Sequence, residues 1–204
     1  MRRIVARCTL ALLLVPGTLA SQGGTARLAV LLDVPAADSA YTFDRMPPGW
    51  HVTMGPGAIL TDSAHRAEGR FVVESEIFLF PNSSASEYGI VLAKDGADWT
   101  GFLLRRDGTA AIVRFAGGVA TPIVAWSAHD SVPKPSADAP ARVVARVEAE
   151  RDSTHFSVNG TRVASALGSA APVDGVFGLR IGPGVNVHVS RLDYTRRLAP
   201  PRGE

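Results

Sequence analysis

The sequence predicts an all-β fold, an antiparallel two-sheet β-sandwich of the jelly-roll kind. Three observations carry the prediction. Apolar residues recur at period two in run after run, and no stretch sustains the 3.6-residue period of a helix. Turn signals recur about every 8–12 residues, supplied by 20 glycines and 14 prolines spread along the chain. Three turn dipeptides, Asp95-Gly96, Asp107-Gly108 and Asn159-Gly160, separate β-rich runs, and these are strong short-range hairpin signals because their residues tolerate positive φ.

Residues 1–20 read as a signal peptide. Arg2, Arg3 and Arg7 form a positive start, Cys8 to Val15 is a short apolar run, and Pro16-Gly17 breaks it. Thr18 and Ala20 then put small residues at −3 and −1 of a cut before Ser21. The apolar run is well short of the roughly 20 residues that cross a bilayer, so no membrane span is expected after cleavage. Arg7 excludes a lipid attachment at Cys8, where a small residue would have to precede the cysteine. Cys8 is the only cysteine, so the mature chain is expected to have no disulfide and no thiolate chemistry. Cleavage also takes three of the 21 basic residues, leaving 18 against 19 acidic ones, with no block of like charge that would indicate nucleic acid or an anionic membrane as partner. The expected location is extracytoplasmic (periplasmic or secreted) in a bacterium.

Residues 21–40 form an N-terminal segment in which Ala26 to Val34 is either a first strand or linker. Residues 41–196 are the predicted sandwich. Tyr41 to Asp44, His51 to Met54 and Ala58 to Leu60 read as strands, the last two around Gly55-Pro56-Gly57. Phe71 to Phe80 is the clearest strand: Phe71, Val73, Ser75, Ile77 and Leu79 make the better core face, and Val72, Glu74, Glu76, Phe78 and Phe80 the more open one. Tyr88 to Phe115 reads as three strands joined by the two Asp-Gly turns. Tyr88, Ile90 and Leu92 share one face; Trp99, Gly101, Leu103 and Arg105 share another and alternate with Thr100, Phe102, Leu104 and Arg106. Thr121 to Trp126 follows Gly117-Gly118, and 129–140 is a Pro/Ser/Asp-rich loop. Arg142 to Glu150, Thr154 to Val158, Thr161 to Ala166, Phe177 to Ile181 and Val185 to Thr195 complete about a dozen strands, and 197–204 is a tail.

The order of features from Trp50 onward resembles the concanavalin A-like lectin/glucanase superfamily, over residues 41–196. The motifs are Gly69-Arg70-Phe71-Val72-Val73-Glu74, Tyr88-Gly89-Ile90-Val91, Gly101-Phe102 with Arg106-Asp107-Gly108, Trp126, Phe156-Ser157-Val158-Asn159-Gly160 and Gly175-Val176-Phe177-Gly178-Leu179. Within it the chain looks closest to bacterial laminin-G-like domains grouped near the 3-keto-disaccharide hydrolase (DUF1080) family. The resemblance implies two antiparallel sheets, one of them curved, with a ligand on its concave face or rim. The longer hydrolase members carry an N-S-G-I segment and a G-x-E strand, where this chain has Glu87-Tyr88-Gly89-Ile90 and Gly101-Phe102-Leu103.

Candidate chemistry is sparse. Glu74 and Glu76 point the same way from one strand, at a spacing that lets two carboxylates serve as the acid and nucleophile of glycoside hydrolysis. The superfamily's glucanases use an E-x-D-x-x-E strand, and Leu79 stands where the last acid would be. Trp50, Tyr88, Trp99 and Trp126 are candidate rings for stacking on a sugar, with Arg105, Arg106 or Glu76 as hydrogen-bonding partners. Trp99, beside Asp98 and a turn, is the expected exposed ring, while Trp50 and Trp126 read as structural. His51, His65, His129, His155 and His188 make no H-x-H or H-E-x-x-H pair, and no serine sits in a G-x-S-x-G elbow. Asp95, Asp98 and Asp107 have oxygens suited to Ca²⁺, but their spacing is that of turn formers, so no cofactor is expected. The sequence therefore favours a binding or interaction module, with a glycan or another cell-envelope component as partner. The alternatives are a hydrolase acting on glycosidic bonds and a structural envelope protein.

Overall fold

In the computed structural model, residues 29–82 and 84–197 are described. They form fourteen strands and one short 3₁₀ turn at Asp38–Ala40, with no α-helix among them. None of these residues belongs to a helix long and apolar enough to cross a membrane. The predicted signal peptide, Ala26 to Leu28 and most of the predicted tail lie outside the described residues.

The strands make two seven-stranded antiparallel sheets. Sheet A runs in the order β1 (Ala29–Leu32), β4 (Ala58–Ala67), β13 (Gly175–Ile181), β6 (Tyr88–Asp95), β7 (Asp98–Leu104), β8 (Thr109–Ala116), β9 (Val119–Ala128). Sheet B runs β12 (Thr161–Leu167), β11 (Ser153–Val158), β10 (Ala141–Ala149), β5 (Phe71–Leu79), β14 (Asn186–Arg196), β3 (Trp50–Met54), β2 (Tyr41–Arg45). The predicted sandwich is thus present, and Ala29–Leu32 is a strand rather than linker. The predicted strand ending at Leu60 continues to Ala67.

Alternation seals the interior. Phe71, Val73, Ile77 and Leu79 of β5 face Ile90, Leu92, Phe102, Leu104 and Ile112 of sheet A in one buried cluster. Phe102 and Phe156 meet edge to face across the sheets, with centroids 5.8 Å apart. Ser75 is the polar exception on the inner face of β5. Its hydroxyl donates to the Arg191 carbonyl at 3.0 Å, beside the point where β14 slips register between Val189 and Arg191. The bond satisfies a hydroxyl buried in the core beside the bulge.

The turns follow their chemistry, with one difference. Asn159 and Gly160 both take positive φ (48° and 83°), as a type I′ hairpin requires. In the two Asp-Gly turns only the glycine does, at 52° and 89°. The second closes instead through Gly108 N–H donating to the Arg105 carbonyl, which makes a longer loop of Arg105 to Gly108.

One buried cation ties the N-terminal strand to the sandwich. Arg180 of β13, 8% exposed, donates from both terminal nitrogens to Asp33 (2.5 and 2.6 Å) and from Nε to Glu87 (3.0 Å). Burial opposes its charge, but the hydrogen bonds and charges of Asp33 and Glu87 outweigh that and raise its pKa. Because Asp33 is more than a third exposed, Arg180→Gln is expected to cost roughly 2 kcal/mol, less than the loss on breaking a fully buried pair. Urea unfolding of wild type and variant checks this, and equal midpoints would contradict it.

Candidate functional site

The sandwich leaves two outer faces, and their chemistry differs. On sheet B the outward positions of β5, β10 and β14 are charged. Glu76 pairs with Arg142 at 2.5 Å and faces Arg191 at 3.9 Å; Glu74 pairs with Arg191 at 2.5 Å and Arg146 at 3.3 Å. Arg146 continues to Glu148 (3.7 Å), Glu148 to Arg197, Arg197 to Glu150 (2.8 Å) and Glu150 to Arg70 (2.7 Å). Register builds this ladder: Arg146 lies opposite Glu74 across the β10–β5 pair, and Arg191 opposite Glu76 across β14–β5. Each glutamate of the candidate acid pair is therefore neutralised by arginine. The two carboxylates are thereby spent on ion pairs within the ladder.

On sheet A the outward face is apolar and aromatic. Ile59, Val91, Trp99, Leu103, Ala111 and Val113 form a second buried cluster, separate from the intersheet core, with Phe115 and Trp126 packed against it. Trp99 and Phe115 are direct cross-strand partners and stack at 5.2 Å with an 11° interplanar angle. Trp99 can lie along its own strand because Gly101 leaves room: a Cβ there would come within 2.6 Å of the indole. At the far end of β7 the Arg105 guanidinium sits 3.8 Å from the centre of the Trp126 ring, a cation–π contact. Arg105 Nε is buried and has no hydrogen-bond partner among the described residues. Half-buried rings beside a guanidinium suit a molecule with apolar faces and hydroxyl edges.

The predicted site residues part company here. Tyr88 is fully buried between the sheets, burial raises its pKa, and its hydroxyl has no partner among the described residues, so it is a core residue rather than a ligand contact. Trp99 is 7% exposed, so the ring expected to be open is the covered one; Trp126, read as structural, is the more open ring and carries Arg105. Trp50 is half-buried and stands against Phe43 at 4.9 Å. Arg105 and Arg106 both lie in the turn at the rim of the sheet, but they diverge, with Arg106 Nη1 3.5 Å from Asn82 Oδ1. Two of the three turn aspartates are occupied: Asp98 accepts from Gly117 N–H and faces Arg114, and Asp107 accepts from the Thr109 amide and hydroxyl. Among the described residues no group of three or more His, Cys, Asp or Glu is placed to hold a metal ion.

Similarity to known proteins extends to the fold. The chain matches no protein-family model and no curated protein. Among solved structures it is similar to a carbohydrate-binding module, CBM66, of Bacillus subtilis (15% identity, TM-score 0.59, 76% of this chain and 94% of that one). A Bacillus subtilis protein of unknown function with a galectin-like fold matches at 12% identity and TM-score 0.59, over 83% of this chain and 90% of that one. The xyloglucan-locus protein GH43B of Bacteroides ovatus matches at 12% identity and TM-score 0.55, over 87% of this chain but 38% of that one. The chain shares the β-sandwich fold of these proteins.

The ladder on sheet B gives a pH dependence. Hydrogen bonding from Arg70 holds the Glu150 carboxyl below its ordinary value of 4.5, and the Thr109 hydroxyl does the same for Asp107. A lowered carboxyl binds its proton less readily folded than unfolded, so its contribution is present above about pH 4.5 and is lost as pH falls through the folded value. Melting curves between about pH 6 and about pH 3 are expected to fall below pH 4.5, and Arg70→Gln to flatten that fall. An unchanged slope in the variant would contradict the assignment.

Proposed function

We propose that the chain is an exported glycan-binding module that takes its ligand on the outer face of sheet A, over Trp126, Phe115 and Arg105. One observation carries the reading: the half-buried Trp126 and Phe115 rings lie on the outer face of sheet A, beside the Arg105 guanidinium and the Trp99–Phe115 stack. Sugar rings present C–H faces to aromatic platforms and hydroxyls to a donor fork, so the two parts of the cluster match the two parts of the ligand. The likeness of the fold to a carbohydrate-binding module supports the ligand class. The motif order from Gly69 to Leu179 further supports placement among laminin-G-like domains near the 3-keto-disaccharide hydrolases. Hydrolysis by Glu74 and Glu76 draws no support from the structure, because both carboxylates are ion-paired.

Export is supported by the charged start, short apolar run and small residues before Ser21. The full chain, expressed in a bacterial host, is expected in the extracytoplasmic fraction with Ser21 as its first residue. Applied to a glycan array, that material should retain a defined subset of glycans. Trp126→Ala and Arg105→Ala should each weaken retention by about tenfold or more, roughly 1.4 kcal/mol, while Glu76→Gln leaves it unchanged. No retained glycan, or loss only in Glu76→Gln, would overturn the reading.

A further inference from the structure

Both sheets lose register at one level of the sandwich. In sheet A, Thr61 pairs with Gly178 and Arg66 with Val176, so the four residues Asp62–His65 of β4 stand opposite Phe177 alone. The β13–β6 pair shifts at the same residue. In sheet B, Ser190 is squeezed out of β14 between Val189, opposite Ile77, and Arg191, opposite Glu76. Extra residues bend a strand away from its neighbours and re-aim its side chains. A cavity of about 200 Å³ lies where these distortions meet, lined from both sheets.

Its walls are apolar and flat. Phe43 and Trp50 stand against each other at 4.9 Å on the sheet B side. On the sheet A side His65 stacks on Phe177 at 5.7 Å with a 13° angle, and Phe177 in turn stacks on Tyr194. Leu60, Leu179 and Leu192 also line the cavity. Polar side chains share the lining. Asp62, 13% exposed, spends Oδ1 on the Ala64 N–H at 2.9 Å, and its Oδ2 lies 4.0 Å from His65 Nε2. Arg191 also lines the space, but its charge is met by Glu74 and Asp193.

We propose that this cavity is a second binding site, for a small planar aromatic molecule that carries an amine. Size sets the ring: an apolar cavity of about 150 Å³ takes benzene, so about 200 Å³ takes a fused bicyclic ring such as indole. Apolar walls supply affinity in proportion to the area removed from water, and flat neighbours favour offset stacking. The Asp62 carboxylate in the lining sets the charge. Asp62 Oδ2 attracts an ammonium and repels a carboxylate, and the one arginine nearby is already paired. The site lies between the sheets, whereas the proposed glycan face is on the outside of sheet A, so each stands or falls alone.

Titration calorimetry of the full mature chain with tryptamine, indole and indole-3-acetate tests the proposal. Tryptamine is expected to bind more tightly than indole, and indole-3-acetate most weakly. Asp62→Asn should reduce the advantage of tryptamine over indole by about tenfold. Ser190→Phe and Leu192→Trp, which fill the cavity from two positions, should each abolish binding, with a melting curve confirming that each variant is folded; if one fails to fold, the other decides. No binding of tryptamine or indole at millimolar concentration, tighter binding of indole-3-acetate, or binding that survives in a folded filling variant would overturn the proposal.

Discussion

Sealing two seven-stranded sheets against each other by apolar packing is the constraint on which the structure depends. The single cysteine is Cys8, at the N-terminus, so no disulfide ties one sheet to the other. The inner face must hold them, at about 1.5–3 kcal/mol for each large side chain fully buried. Phe71, Tyr88, Phe102, Phe156, Ile77 and Ile112 are all less than 2% exposed. Tyr88 even buries a hydroxyl that has no partner among the described residues. With alternate positions committed to this packing, function is confined to the outer faces, the rims and the places where alternation breaks.

The two outer faces answer different physical demands. On sheet B, arginines and glutamates alternate so that every carboxylate along the ladder has a guanidinium beside it. Such surface pairs contribute about 0–1 kcal/mol each, which keeps a broad face solvated and leaves little unmet valence for a ligand. Sheet A does the reverse. Its outward cluster is apolar, with Phe115 and Trp126 only partly covered and the Arg105 guanidinium against Trp126. Partly covered rings rimmed by a charged group mark an interaction surface more often than a solvated one. That contrast supports placing the proposed ligand face on sheet A.

Much of this was legible before the structure. The period-two faces of β5 placed Phe71, Val73, Ser75, Ile77 and Leu79 inward, and Asn159-Gly160 fixed its hairpin, because both signals are local. What stayed hidden was long-range. Alternation put Trp99 and Leu103 on one face without saying whether that face was inner or outer, and cross-strand neighbours decided that Trp99 is covered while Trp126 is open. The same ambiguity made Tyr88 look accessible. The glutamate pair was visible as i, i+2 carboxylates, but the arginines that neutralise it come from 66 and 117 residues away. The strand at Leu60 was cut short because Asp62–His65 break the alternation, and that break is what shapes the cavity between the sheets.

The most direct test of the ligand face is a map of where a bound glycan touches the protein. Amide and indole N–H shifts of the isotope-labelled mature chain, followed during titration with the strongest-binding glycan, supply it. The account predicts that the largest changes fall on Trp126, Phe115, Arg105 and their neighbours in β7, β8 and β9. Changes centred instead on Glu74, Glu76 and the arginines of sheet B, with β7 to β9 silent, would contradict it.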